Sequence, residues 1–322
     1  MMAHLRANLW LLVMTLLICS VAYPAALLGI GQTVFRDSAN GSLIAGPDGK
    51  PIGSRLIAQP FTGDEYFQPR PSYVSYNAAA TGGSNWGASN YLLRDRVARQ
   101  LGPIVKYKDG RPVAQDIEAW FQKDQFQGQP GIVAQWAQAH SGLAAAWVKA
   151  DPLHADYVAS WIKQNPSASE SKLEELAVPF FISYSKAHPG TFPVAVEQKA
   201  EKLVQSIKKG IEIQSIFFDM WRQDHPQADL QAVPADMVMA SGCGLDPHIT
   251  LDSALYQLDR VATSRAAQSG RPAAEVRTEI EALLREKAAA PLGGLAGVKL
   301  VNVLEVNLAL APRDGAARSS AE

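Results

Sequence analysis

A chain of 322 residues with 47% hydrophobic and 19% charged side chains has the make-up of folded protein, with room for one large domain or two modest ones. Its 30 Lys and Arg stand against 31 Asp and Glu, a formal charge of −1. That balance leaves no basic face for a phosphate backbone and excludes nucleic acid as a partner.

The first element is apolar. No charged side chain lies between Arg6 and Arg36, and Leu9 to Ile30 is mostly Leu, Val, Ile and Ala. At 1.5 Å rise per residue this stretch crosses about 30 Å of hydrocarbon, so residues 9–31 are predicted to form a transmembrane helix, with 1–8 as a short cytoplasmic N-terminus. A cleaved signal peptide would carry a shorter apolar region ending in small residues, whereas this one continues past Pro24 through Leu27, Leu28 and Ile30. Pro24 removes one backbone donor inside the span, which favours a helix packed against other protein or kinked locally. The charges at the two ends point to an N-inside, C-outside orientation. Cys19 falls within the span, which on geometric grounds rules out a bridge to Cys243, the other cysteine.

Residues 40–90 are rich in Gly, Ser, Asn and Pro with short β-type runs such as Ile52 to Ile57, and predict turns and small strands. Ser89 or Asn90 caps a predicted helix with an apolar stripe of Leu92, Leu93, Val97 and Leu101. From 104 to 232 the chain is predicted helical and carries a degenerate hexapeptide. Its copies begin at Trp136, Trp147, Trp161, Tyr184 and Trp221. In each, an inward-packing aromatic is followed by Lys, Arg or Gln, then a polar residue, and in four copies Pro closes the sequence, as expected of a helix ending. Further on, Thr250 caps one predicted helix and Pro272 opens another. Alternating apolar residues in 298–310, including Leu300, Leu304, Val306 and Leu308, predict a half-buried strand.

Three groups of residues invite a chemical reading. His140, His188 and His225 share one position of the hexapeptide, but His is favourable in a last helical turn and a metal site would need separate helix ends to converge, so no metal site is assigned. The block Gly242-Cys243-Gly244-Leu245-Asp246-Pro247-His248 places a thiol, a carboxylate and an imidazole together, yet its glycines and Asp-Pro signal tight turns. The run Gly82-Gly83-Ser84-Asn85 is a glycine-rich loop leading to a helix, a geometry able to hold an anion on backbone donors, but no phosphate-loop motif or lysine accompanies it. Neither an aspartyl-phosphate DKTGT sequence nor a TVGYG-type potassium filter occurs in the chain.

Four segments, taken in order, resemble the KdpC family of the Kdp potassium-transporting P-type ATPase. They are GSRLIAQPFTGDEYFQPRPS (53–72), YNAAATGGSNWGASN (76–90), VPADMVMASGCGLDPHITLDSALYQLDRVA (233–262) and VNVLEVNLAL (301–310). Departures from the family pattern are Ala58 for the usual Gly, Trp86 for Leu, Ala88 for Pro and Cys243 for Ser or Ala. The resemblance implies a single N-terminal transmembrane helix plus an α+β extracytoplasmic domain, discontinuous over 32–103 and 233–311. A mainly α-helical insertion at 104–232 interrupts it, and 312–322 is expected to be a disordered tail. It implies an accessory, non-catalytic subunit in the bacterial inner membrane that supports assembly and stability of its partners, a channel-like potassium-translocating subunit and a P-type ATPase subunit, with membrane lipid around the span. An ATP-affinity role is also attached to the family, but an N-inside anchor would put the loops on the side without ATP, and no cofactor is assigned. Gly82, Gly83, Ser84, Asn85, Gly242, Gly244, Asp246 and His248 form candidate loops for contact with a partner protein or for holding a ligand. An anchored extracytoplasmic binding protein, or a hydrolase using Cys243, Asp246 and His248, is the alternative.

Overall fold

The computed structural model describes residues 2–46, 48–124, 128–166, 172–198, 201–295 and 297–311. The expected tail at 312–322 lies outside them. Two compact units emerge, the first from residues 1–84 and 240–322, the second from 85–239. The expected insertion at 104–232 lies wholly within the second unit, which also takes in 85–103 and 233–239.

The chain begins with a continuous helix. From His4 to Val34 it is long and apolar enough to cross a membrane, with an 18-residue window of mean hydropathy 2.3 and none of that window buried. It consists of α1 (Met2–Leu17), a π turn (Ile18–Ala22) and α2 (Tyr23–Val34). The π turn ends one residue before Tyr23-Pro24, and the Tyr23 N–H donates to the Ile18 carbonyl five residues back. A prolyl ring would clash with the carbonyl four residues earlier in a regular helix, and the wider turn relieves that crowding without a break.

A short helix, α3 (Arg36–Ala39), leads into a small antiparallel ribbon of β1 (Leu43–Ala45) and β2 (Pro51–Ser54) in the register Leu43 to Ser54. The β-run expected at 52–57 thus forms only its first half. Residues 58–84 are irregular, and their order comes from the C-terminal part of the unit. There a ribbon of β5 (His248–Thr250) and β6 (Leu300–Asn302) flanks the helical hairpin formed by α11 (Leu251–Ser269) and α12 (Ala273–Lys287). The Thr250 hydroxyl accepts from the Ser253 N–H at 3.1 Å as the predicted cap, and Gly270 takes the left-handed conformation (φ 67°) that ends α11. Ile249, Leu258, Val261, Val276, Ile280, Leu284 and Val301 close the core around Phe67.

The predicted strand at 298–310 is overturned beyond Asn302. Residues Val303–Ala309 form a helix, α13. The Asn302 side chain accepts from the Glu305 N–H at 3.2 Å and starts the turn. Val303, Val306 and Asn307 then share the buried face at helical spacing. The apolar residues satisfied a period of two and a period of 3.6 alike, and the asparagine cap decided between them. Asn307 is nearly fully buried, and its amide accepts from the Phe67 N–H and donates to the Phe67 carbonyl, both at 2.9 Å. Gln257 does the same for Gln68, at 2.8 and 3.1 Å. Arg260 donates to the carbonyls of Asp64 and Tyr66, and Arg265 to that of Glu65.

The second unit is mainly helical. It contains α4 (Tyr91–Ile104), α5 (Ala114–Gln122), α6 (Ile132–Ala139), α7 (Ser141–Ala150), α8 (Pro152–Gln164), α9 (Ala177–Ala187) and α10 (Ile211–Asp224). Asn90 caps α4 by accepting from the Leu92 N–H at 2.9 Å. Gly102-Pro103, next to the expected boundary between 103 and 104, forms the last turn of α4. Gly102 is there because a methyl group would run into the Gln214 carbonyl of α10. The hairpin of β3 (Phe192–Gln198) and β4 (Glu201–Ile207) was missed, because Pro193 broke a short apolar alternation between two helical segments. Trp136, Phe181, Phe192 and Phe217 form an edge-to-face aromatic cluster at its centre.

The hexapeptide does mark helix ends. Helices α6, α7, α8, α9 and α10 each stop at its fourth residue. The next residue is the cap: its N–H returns to the aromatic carbonyl at His140, His188 and His225. Asn165 caps with its side chain instead, donating to the Trp161 carbonyl at 2.9 Å.

Replacing Asn307 by Ala strands the buried Phe67 N–H and carbonyl, each costing about 1–3 kcal/mol. The urea midpoint of the full-length protein in detergent should fall by an amount equivalent to about 2–6 kcal/mol, with m unchanged.

Candidate functional site

The candidate residues of the first unit lie on two loops that the fold brings into contact. The Gly82 N–H donates to the Cys243 carbonyl at 3.0 Å. A Cβ on Gly83 would stand 2.9 Å from the Gly242 carbonyl oxygen, and one on Gly244, whose φ is +73°, 2.8 Å from that of Gly82. Gly83 and Gly244 are therefore required by close backbone approach, whereas Gly82 and Gly242 have room for a side chain. Ser84 and Asn85 carry the chain out of this contact, Asn85 in the left-handed region (φ 52°) that asparagine tolerates.

Three residues that sequence reasoning did not single out fix the junction. The Ser72 hydroxyl donates to the Gly244 carbonyl at 2.6 Å and accepts from the Tyr76 N–H at 2.9 Å. Arg70 donates to the Ala240 carbonyl at 3.3 Å and lies 3.8 Å from the Asp246 carboxylate. The Tyr76 hydroxyl donates to the Arg70 carbonyl at 2.9 Å. Arg70 and Ser72 sit in the segment QPRPS, so the signal was present but carried no chemistry until its partners were in place.

Asp246 and His248 meet. Oδ1 of Asp246 accepts from the His248 backbone N–H at 3.0 Å and lies 3.1 Å from its Nδ1. The His248 bond holds the Asp246 carboxyl below the ordinary carboxylate range against the opposing effect of burial. Cys243 is differently engaged: its Sγ accepts from the Leu245 N–H at 3.4 Å and lies 3.9 Å from the Ser241 hydroxyl. Among the described residues no hydrogen bond joins Cys243 to His248, so the three side chains are not arrayed as a nucleophile, base and orienting acid. Among the described residues no group of three His, Cys, Asp or Glu could hold a metal ion.

The second unit holds a cavity of about 390 Å³ bordered by α4, α10 and the joint between α6 and α7. His140 occupies that joint with Nδ1 3.0 Å from the Trp136 carbonyl and Nε2 3.1 Å from Asp219. Arg94 approaches the same Asp219 oxygen at 3.4 Å. His154 offers a contrast. Its Nδ1 is 2.7 Å from the Trp147 carbonyl, while Nε2 accepts from the Ala195 N–H at 3.2 Å, and the ring stacks on Trp147. Burial pushes the His154 imidazole below its usual range, as befits a neutral ring with one donor and one acceptor both satisfied.

A family profile described as "KdpC: K+-transporting ATPase, c chain" matches residues 5–119 and 159–312. The potassium-transporting ATPase KdpC subunit of Parvibaculum lavamentivorans is 31% identical over 304 residues, 94% of this chain and 94% of that one. The protein of the same name from Koribacter versatilis is 37% identical over 119 residues, 36% of this chain and 61% of its own. That from Methanosphaerula palustris is 48% identical over 102 residues, 32% of this chain and 55% of its own. The last two are therefore shorter proteins, and residues 120–158 fall outside the family profile.

Gly244→Ala and Gly242→Ala separate the two kinds of glycine. The first forces a left-handed alanine, at about 1–2 kcal/mol, and a backbone collision besides. It should lower the thermal midpoint of the purified full-length protein by several degrees, while Gly242→Ala leaves it within about a degree, as expected for a change with no named destabilising mechanism.

Proposed function

The chain belongs to the KdpC family of K+-transporting ATPases, and on that footing we propose that it is the accessory, non-catalytic subunit of an ATP-driven potassium uptake complex. In this reading it is anchored in the inner membrane by residues 9–31 with the N-terminus cytoplasmic, and the chain from residue 32 onward lies outside the cytoplasm. It supports assembly and stability of a channel-like potassium-translocating subunit and a P-type ATPase subunit.

The observation that carries this reading is the collinear match to a potassium-transporting ATPase KdpC subunit over 94% of both chains, with an exposed apolar helix at its N-terminal end. The geometry of the loops supports it. At 82–83 and 242–244 backbone packs on backbone, and Asp246 is engaged with His248 and Arg70. These loops suit a rigid contact surface, and they are proposed to meet a partner subunit. Residues 104–232 are proposed to form a mainly helical module carried between two parts of the family sequence, with 120–158 the stretch outside the family profile, tolerated because chain closure costs grow slowly with length.

Co-expression with both partner subunits tests assembly. The tagged chain should retain both through purification, and potassium uptake at limiting external potassium should disappear in its absence and return when it is supplied. Uptake and assembly unaffected by its removal would defeat the reading. Exposed Cys243 reports topology. In a Cys19→Ser background, a membrane-impermeant maleimide applied to spheroplasts should label it without lysis, and labelling only after lysis would reverse the orientation.

A further inference from the structure

The hexapeptide histidines are helix caps, but one of them has a second task. In His225 the Nδ1–H donates to the carbonyl of Trp221 at 2.8 Å and the ring stacks on that indole. His140 does the same with Trp136, and in addition its Nε2 faces a carboxylate. Among the described residues it is the one copy of the motif whose ring is hydrogen-bonded to an acid.

Both ring nitrogens of His140 thus face oxygen atoms that can only accept, a backbone carbonyl on one side and Asp219 on the other. A neutral imidazole carries a single N–H and satisfies one of them, while the imidazolium satisfies both. His154 shows the converse in the same unit, where a carbonyl and an N–H suit a neutral ring. We propose that His140 is a proton-operated latch: protonated, it ties the joint between α6 and α7 to α10 through Asp219, and on losing its proton it releases one of the two bonds and loosens that joint.

The charged and titratable groups facing it are few. From α4 come Arg94, which shares Asp219, and Asp95 and Tyr91, which line the same cavity, with Asp95 engaged by Arg99 at 2.8 Å. From α10 comes Asp219. The hydrogen bond to Asp219 raises the His140 imidazole above its usual range, against burial and against the like charge of Arg94. Burial alone would raise the Asp219 carboxyl, but the His140 bond and charge outweigh it and hold the group below the ordinary range. The sign follows from linkage. A folded-state pKa above the unfolded one contributes stability that is complete below the unfolded value, about 6.5, and vanishes as pH rises through the folded value. The latch is closed below about pH 6.5 and opens as pH rises through the elevated folded-state value. Its release acts on the cavity wall, since Trp136, Ser141, Gly142 and Leu143 border the same space.

The test uses the full-length protein in detergent with the six histidines labelled at Cε1. His140→Gln identifies the His140 resonance by its disappearance. The expected result is a His140 titration midpoint above about 6.5 that falls towards it in Asp219→Asn, while His154 stays neutral at lower pH. Hydrogen-exchange protection of residues 136–150, corrected for the intrinsic pH dependence, should weaken several-fold as His140 deprotonates, and this dependence should be absent from His140→Gln. A midpoint at or below about 6.5, or a protection profile that His140→Gln leaves unaltered, overturns the proposal. Both readouts stand on the wild-type protein and His140→Gln alone should Asp219→Asn fail to fold.

Discussion

Two buried side-chain amides do for the first unit what a third strand does in an ordinary sheet. Asn307 and Gln257 each offer one acceptor and one donor in a plane, and consecutive residues of an irregular segment, Phe67 and Gln68, spend their backbone groups on them. With Phe67 itself in the core, the segment is held by its side chain from one direction and by its backbone from others. Arg260 and Arg265 extend the arrangement to the carbonyls at 64–66. Backbone buried without such partners would be strongly unfavourable. Ala58, Ser72 and the glycine junction follow from it, because residues 58–84 must already be in place for Ala58 and Gly82 to meet the 243–245 turn.

The second unit solves a related problem by repetition. A helix ends with unpaired carbonyls, and five of its helices end at the same short motif. The aromatic residue packs inward one turn before the end, and the polar residue after the helix closes on the aromatic's carbonyl from His140, Asn165, His188 and His225. Asp151 departs from this pattern, since its side chain accepts from the Leu153 N–H and serves as the N-cap of α8. Pro152 follows at the first position of that helix, where a missing N–H costs nothing. The motif ends a helix at every copy, and at His140 and Asp151 it also leads directly into the next helix, with opposite hydrogen-bonding sense at the two joints.

Much of this was legible before any coordinates. The apolar span, the caps at Asn90 and Thr250, the start of α12 after Pro272 and the helix-ending motif all rest on local rules that tertiary context did not disturb. The failures share a cause. In 298–310 two periodicities fitted the same residues, and only the bond from Glu305 to Asn302 chose the helix. The expected boundary after residue 103 falls inside α4, where Gly102 makes close contact with Gln214, a residue more than a hundred positions away. Within the candidate loops, sequence named the glycines but could not tell Gly83 and Gly244, which have backbone against them, from Gly82 and Gly242, which do not. Arg70, Ser72 and Asp219 gain meaning only from partners distant in sequence, which no local pattern encodes.

The π turn at Ile18–Ala22 has a consequence for how the span is seen from the side. Such a turn is an α-helix with one residue inserted, and one residue is about 100° of rotation. A stripe of side chains running up α1 therefore does not continue up α2 but reappears about a quarter-turn round the axis. The span behaves as two short cylinders clocked against each other, with Pro24 beside the joint. A neighbouring helix that lies along one half must leave the other half to something else.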